Sequence, residues 1–201
     1  MRDMTSELPL RERKKVATRA ALSHAAWSSM LSDGLDSVSP ESVAAAVGVS
    51  SRTFRNYFAG VEEAIVDELA QRYLTLADQV GDRPPGEPVW ESLMQVLPAA
   101  LPAIMGDRDD FAVLLQAVND RPTMLAQNLI MFERGRQRLT EVIAARTGAN
   151  PARDLTPRLY AGAATTALAT SAELWARRAT DLPLPDLIRT CLRRLSEGIG
   201  P

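Results

Sequence analysis

Apolar residues recur along most of this chain at intervals of three and four, the spacing of one face of an α-helix. Leu22, Ala25, Ala26 and Met30, widened by Trp27, predict a first helix over about 10–32. Val43 and Val47 share one face of a short second helix, and Phe54 and Phe58 one face of a third. A fourth helix is expected over 62–80. The stretch 81–88, Gly-Asp-Arg-Pro-Pro-Gly-Glu-Pro, is the clearest break in the chain. Beyond it, Trp90, Leu93, Met94, Leu97, Leu101 and Ile104 predict a helix over 89–105. Pro98 and Pro102 lie inside that helix, and each removes a backbone donor, so it is expected to kink or split. Further helices are expected over 111–119, 122–147, 153–180 and 187–199, with Pro183-Leu184-Pro185 breaking the chain before the last. Runs of β-branched residues are absent, and the whole reads as an all-α fold.

The segment 39–58 carries the most specific pattern. Ser39 can accept hydrogen bonds from a first helical turn, and Pro40 follows where its missing N–H is not needed. Ala44, Ala45 and Ala46 favour helix and permit close approach. Gly48 suits the left-handed residue that ends a helix, Val49 is apolar within the turn, and Ser50 can cap the next helix. With Phe54 and Phe58 facing inward, Arg52, Arg55 and Asn56 fall on the opposite side, flanked by Thr53 and Tyr57. Arginine pairs bidentately with guanine, asparagine with adenine, and threonine touches a thymine methyl, while a tyrosine there suits a phosphate. The candidate DNA-facing residues are therefore Ser39, Ser50, Ser51, Arg52, Thr53, Arg55, Asn56 and Tyr57. An ordinary amphipathic hairpin with a solvated arginine face has the same pattern, so chemistry alone leaves both readings open.

A chain of 201 residues fits one large domain or two small ones with a real core. No apolar run is long enough to span a bilayer, and no hydrophobic segment follows residues 1–7, so neither a membrane span nor a secretory signal is expected. Cys191 is the single cysteine, which excludes an internal disulfide and fits a reducing, cytoplasmic setting. The net charge of −2 conceals an asymmetry: residues 1–60 hold eight basic and six acidic side chains, leaving −4 for the rest. That points the N-terminal part at a polyanion. Within Arg11-Glu12-Arg13-Lys14-Lys15, Lys14 and Lys15 are candidate phosphate contacts at the start of the first helix. His24 stands alone, no Cys/His cluster has metal spacing, and Asp107, Asp109 and Asp110 lack partners for a metal. No glycine-rich phosphate loop or nucleophile elbow occurs. Neither an enzyme nor a cofactor or metal site is expected.

The residues Leu22, Ala25-Ala26, Gly34-Leu35, Ser39, Val43-Ala44-Ala45, Gly48-Val49-Ser50, Thr53-Phe54, Asn56-Tyr57-Phe58 and Glu62-Glu63-Ala64 keep an order and spacing that resembles the DNA-binding domain of TetR-family transcriptional regulators. The resemblance covers about Arg11 to Leu69. It implies a three-helix helix-turn-helix domain over 10–60 and a helical ligand-binding and dimerisation domain over 61–201, with 62–80 as the connecting helix. One departure is Val61, where family members usually carry a basic residue that clamps a phosphate.

Two long helices near the end offer close-packing faces: small residues along Ala161-Gly162-Ala163-Ala164 and Ala167-Leu168-Ala169, and an apolar stripe of Leu187, Ile188, Cys191, Leu192 and Leu195. Packing within one subunit would use them equally well. The resemblance implies a four-helix bundle across a two-fold axis, with Ala164, Leu168, Leu187, Cys191 and Leu195 as dimer contacts. It also implies a small-molecule pocket in the second region. Candidate liners are Trp90, Met94, Leu97, Phe111, Leu115, Met124, Met131, Phe132 and Trp175, with Gln127, Asn128 and Thr165 as polar groups. The resulting expectation is a homodimeric repressor on a palindromic operator in double-stranded DNA, released by an apolar or amphipathic ligand. A DNA-binding regulator without an effector, or a helical small-molecule-binding protein, are the alternatives.

Overall fold

The computed structural model describes residues 9–198. Arg2, Asp3 and Glu7 of the charge balance, the stretch 1–7, and the expected helix end at Ile199 lie outside the described residues. Among the described residues the secondary structure is helical, with no strand. The chain divides into two compact units, Met1–Glu68 and Leu69–Pro201.

The first unit begins with α1 (Leu10–Asp33), which ends at Gly34, whose φ of 81° favours glycine. A single 3₁₀ turn, Leu35–Ser37, leads to α2 (Pro40–Val47). Ser39 caps α2 by accepting from the Ser42 backbone N–H at 3.1 Å, and the Ser42 hydroxyl accepts from the Ser39 N–H at 3.1 Å. Serine thus fills the place that Glu or Gln usually takes in such a reciprocal cap. Gly48 ends α2 in the left-handed conformation, and Ser50 caps α3 (Ser51–Arg55) through the Thr53 N–H. The sequence pattern carries this third helix to Phe58, but α3 closes after Arg55. The Asn56 N–H is shared between the Arg52 and Thr53 carbonyls, and Tyr57 N–H reaches Phe54. This tightened last turn satisfies the terminal carbonyls without further helix. Phe54 and Phe58 still meet, with ring centroids 5.7 Å apart. They close the core with Leu22, Ala26, Trp27 and Val43.

α4 (Val61–Gly81) is one continuous helix. The division between the units falls inside it, so its first two turns pack in the first unit and the rest in the second. The second unit continues with α5 (Val89–Met105), α6 (Arg108–Asp120), α7 (Pro122–Thr147), α8 (Leu155–Ala176) and α9 (Leu184–Glu197). α8 packs against both α7 and α9, and α9 packs against α5. α5 does not split at Pro98 or Pro102. Its flanking Leu93, Leu97, Leu101 and Met105 are almost fully buried, and that burial offsets the two missing backbone donors. Met124 and Ile143 complete the interior of this unit from α7.

The Pro/Gly-rich stretch after α4 is held in place by Arg146 of α7. Its guanidinium donates to the carbonyls of Val80, Pro84 and Glu87 and to the Ser92 hydroxyl. The Glu87 carboxylate accepts from Arg83 and from Ser92, and these bonds hold its pKa down at about 2. A depressed carboxylate stabilises the fold fully above its unfolded value of 4.5 and loses that contribution as pH falls toward 2. Glu87→Gln is therefore expected to flatten the melting temperature against pH between about 4.5 and 2. Melts of both proteins across that range check this; an identical acid limb would contradict it.

Candidate DNA interface and ligand cavity

The α2–α3 pair presents the expected polar face. Arg52 and Asn56 are exposed, and among the described residues neither side chain makes a hydrogen bond or ion pair. Arg55 is exposed but donates to the Glu41 carboxylate at 2.7 Å, tying the end of α3 to the start of α2. An exposed pair of this kind contributes roughly 0.2–1 kcal/mol, so a phosphate or a base edge can compete for Arg55. The Ser50 hydroxyl is engaged with the Thr53 N–H and the Thr53 Oγ1, and Ser39 with its cap. These serines shape the hairpin first. Ser51 is half-buried at the opening of α3. Lys14 and Lys15 lie exposed in the first turns of α1, beside Arg11 and Arg13.

The residue that organises this unit is Arg19. Its Nε and Nη2 donate to Asp67 Oδ1 at 3.2 and 2.7 Å, and its Nη1 donates to the Tyr57 carbonyl at 2.9 Å. The guanidinium lies 4.2 Å from the centre of the Phe58 ring. Ser23, fully buried, donates to Asp67 Oδ2 at 2.7 Å. One guanidinium thus joins α1, the turn after α3 and the first turns of α4. In the sequence Arg19 is one of the eight basic residues of 1–60, with no local partner to mark it. Its partners stand 38 and 48 positions away, beyond any local spacing rule. His24, the single histidine, is exposed and faces Glu68 at 3.3 Å.

The second unit encloses a narrow cavity lined by Tyr73, Leu76 and Ala77 of α4, Leu97 of α5, Phe132, Gly135, Arg136 and Leu139 of α7, and Thr165 and Leu168 of α8. Its volume is about 30 Å³. Of the expected liners, Leu97, Phe132 and Thr165 are there. The others are placed elsewhere. Phe111 packs on Trp175, ring centroids 6.2 Å apart, and Arg108 donates to the Trp175 carbonyl at 2.6 Å. Trp90 meets Tyr160 edge-on at 5.4 Å. Met124 and Met131 are buried in the core, and Met94, Leu115, Gln127 and Asn128 are half-buried away from this cavity. The signal for the missed wall was present: Leu69, Tyr73, Leu76, Ala77 and Val80 form a continuous helical stripe. In the sequence this stripe marks only a connecting helix; in the fold three of its residues, Tyr73, Leu76 and Ala77, also form a wall of the cavity.

The family model TetR_C_14, described as the MftR C-terminal domain, matches residues 89–200. The HTH-type transcriptional regulator TcmR of Streptomyces glaucescens is 30% identical over 159 residues, which is 74% of this chain and 69% of TcmR. The chain belongs to the TetR family of transcriptional regulators. Solved TetR-family structures share its fold. FadR of Thermus thermophilus, a repressor crystallised with lauroyl-CoA, has a TM-score of 0.62 at 20% identity, covering 91% of this chain and 95% of FadR. A TetR-family regulator from Streptomyces coelicolor has a TM-score of 0.59 at 20% identity, covering 94% and 81%. As a TetR-family protein the chain is a regulator and not an enzyme. Among the described residues no group of three or more His, Cys, Asp or Glu side chains could hold a metal ion, and no helix is long and apolar enough to cross a membrane. Asp107 caps α6 through the Asp109 N–H, and Asp109 pairs with Arg178.

Of the expected dimer contacts in this TetR-family chain, Ala164, Leu168 and Leu187 are buried within the subunit. Small residues on α8 let α7 and α9 approach it closely, which is the intrasubunit use of the same pattern. Cys191 and Leu195 are half-buried, and the Ser171 hydroxyl donates to Cys191 Sγ at 3.3 Å, an α8–α9 contact inside one chain. Among the large apolar residues that α8 leaves exposed, Leu155 and Leu159, 73% and 64% exposed, lie one helical turn apart near its start, and Leu174, 37% exposed, lies near its end.

Proposed function

We propose that this TetR-family regulator is a homodimeric repressor that reads a palindromic operator through α2 and α3 and is released by an apolar or amphipathic molecule in the second unit. The observation that carries this reading is the double commitment of α4. Its first turns supply Glu63 and Asp67 to Arg19, which holds the Tyr57 carbonyl just after α3. Its later turns supply Tyr73, Leu76 and Ala77 to the cavity wall. The cavity is too narrow for an organic ligand as it stands, so a ligand has to part its helices, α4 among them. Motion of α4 then acts on the Arg19 cluster, and a changed α3 position gives bound and free states different affinities for DNA. Dimerisation is assigned to the α8 face bearing Leu155, Leu159 and Ala163, extended by Cys191 and Leu195 of α9. Two copies would place two short recognition helices on successive half-sites. The lauroyl-CoA in the FadR structure supports an amphipathic ligand class for the shared fold.

Base reading by α3 has a direct test. Arg52→Ala and Asn56→Ala are each expected to weaken binding to the DNA upstream of the gene by about 10- to 100-fold, the size of one lost bidentate base contact, with a much smaller loss on random DNA. Replacing Lys14 and Lys15 together should weaken both DNAs alike and reduce the salt slope by about two. Fluorescence anisotropy at several salt concentrations measures all of these. Equal losses on both DNAs for the α3 variants would remove the base-reading role.

A further inference from the structure

We propose that the cavity takes an apolar molecule bearing a single carboxylate, its chain among Leu76, Leu97 and Leu139 and its carboxylate received by the Tyr73 hydroxyl and Arg136. This rests on the ligand-released reading above and names the ligand's chemistry. Tyr73 is nine-tenths buried, at 8% exposure, and lines the cavity. Its ring packs on Phe132, centroids 5.5 Å apart, but among the described residues its hydroxyl makes no hydrogen bond. Burial pushes the phenol's pKa well up, so the group stays a neutral donor at any physiological pH. Among the described residues the fully enclosed side-chain polar atoms without a partner are Trp90 Nε1 and Arg146 Nε, so the Tyr73 hydroxyl is open to an acceptor that enters the cavity.

Arg136 supplies the charge. Glu133 accepts from its Nε at 2.8 Å and its Nη2 at 2.5 Å, which fixes the plane of the guanidinium. Its Nη1 has no partner among the described residues. A guanidinium can only donate, so what meets that free edge must accept. The remaining hydroxyl of the lining, Thr165, already donates to the Ala161 carbonyl at 2.7 Å. Tyr73 and Arg136 thus offer open donors on a largely apolar wall, complementary to an acceptor on a hydrocarbon.

The position of Arg136 separates an anionic end from a neutral one. The same side chain lines a second, open groove with Gln137, Thr140 and Arg158. It stands where the apolar cavity gives way to a polar surface that carries a second cation, Arg158, and the carboxylates of Glu133 and Glu141. A carboxylate there keeps part of its hydration while its chain is buried, so charge costs less than it would deep inside. Glu133 offsets part of the attraction, which limits the preference for an anion to about tenfold rather than several decades.

Sodium decanoate, below its micellar concentration, and 1-decanol are the probes, since they share a chain and differ in charge. Calorimetric titration of the full-length protein is expected to show decanoate binding about tenfold tighter than decanol. Arg136→Gln should erase that preference while leaving DNA binding unchanged. Tyr73→Phe should weaken both probes. The wild-type comparison alone decides the matter if either variant fails to fold. Equal binding of the two probes, no binding of either, or a preference that survives in Arg136→Gln overturns the carboxylate assignment. Release of upstream DNA by both probes equally would leave the ligand-released reading standing while this one falls.

Discussion

Arg19→Ala is expected to abolish operator binding without unfolding the second unit. The side chain makes three charge-assisted hydrogen bonds and stacks on Phe58, and its main partner, Asp67, has a side chain only 12% exposed. Removing the guanidinium leaves that carboxylate with Ser23 as its remaining partner among these contacts, and frees the Tyr57 carbonyl at the end of the recognition segment. Breaking a fully buried pair costs about 3–5 kcal/mol. Arg19 is 38% exposed, so water screens part of this, and about 2–3 kcal/mol is the reasonable expectation. Arg19→Lys should recover little, because an ammonium cannot reach Asp67 and the Tyr57 carbonyl in the geometry of the fork. Adding Asp67→Asn to Arg19→Ala should restore part of the stability, since it removes the stranded charge. Hydrogen exchange reads the result: protection should fall in α1, α2 and α3 and persist in α7 and α8. Wild-type protection and DNA affinity in Arg19→Ala would contradict the organising role of the cluster.

Phe54→Ala is expected to unfold the first unit altogether. Phe54 is fully buried, and with Phe58 and Trp27 it is among the largest enclosed side chains of that unit. Truncating a buried phenylalanine costs about 3–5 kcal/mol. A unit ending at Glu68 has a small core, and a core of that size rarely supplies more than about the same amount. Phe54→Leu keeps most of the volume and should retain a folded, DNA-binding protein of lower melting temperature. Circular dichroism separates the cases: the alanine variant should lose helical signal corresponding to α1–α3, and the leucine variant should keep it. This also distinguishes structural loss from loss of contact, since Arg52→Ala should leave the helical signal intact. A Phe54→Ala protein with wild-type helicity and DNA affinity would contradict the packing described for α3.

The parts of this molecule that were legible in the sequence are those governed by local chemistry. Ser39-Pro40 and Gly48 mark the ends of α2 because caps and left-handed glycines act over three or four residues. Pro122 and Gly148 bracket α7 for the same reason. The polar face of α3 followed from helical period alone. What escaped were choices made by tertiary packing. A stripe containing Tyr73 looks the same whether it meets core or cavity, so the α4 wall was assigned to a connector. Phe111 and Trp175 have the size and apolarity of cavity walls, but they pack on each other away from the cavity, with Arg108 bonded to the Trp175 carbonyl. Small residues around Ala164 permit close approach without specifying whether the neighbour belongs to the same chain. The Arg19 cluster was invisible because its members are separated by up to 48 positions and each looks like an ordinary surface charge.

The most direct measurement of the central claim is equilibrium binding of the full-length protein to the DNA upstream of its own gene, against random DNA of equal length at one fixed salt concentration. A regulator that reads bases through α3 is expected to favour the upstream fragment by at least about 10³-fold. A ratio near one would contradict specific recognition and leave only the charge of α1 and α3 acting on the phosphate backbone.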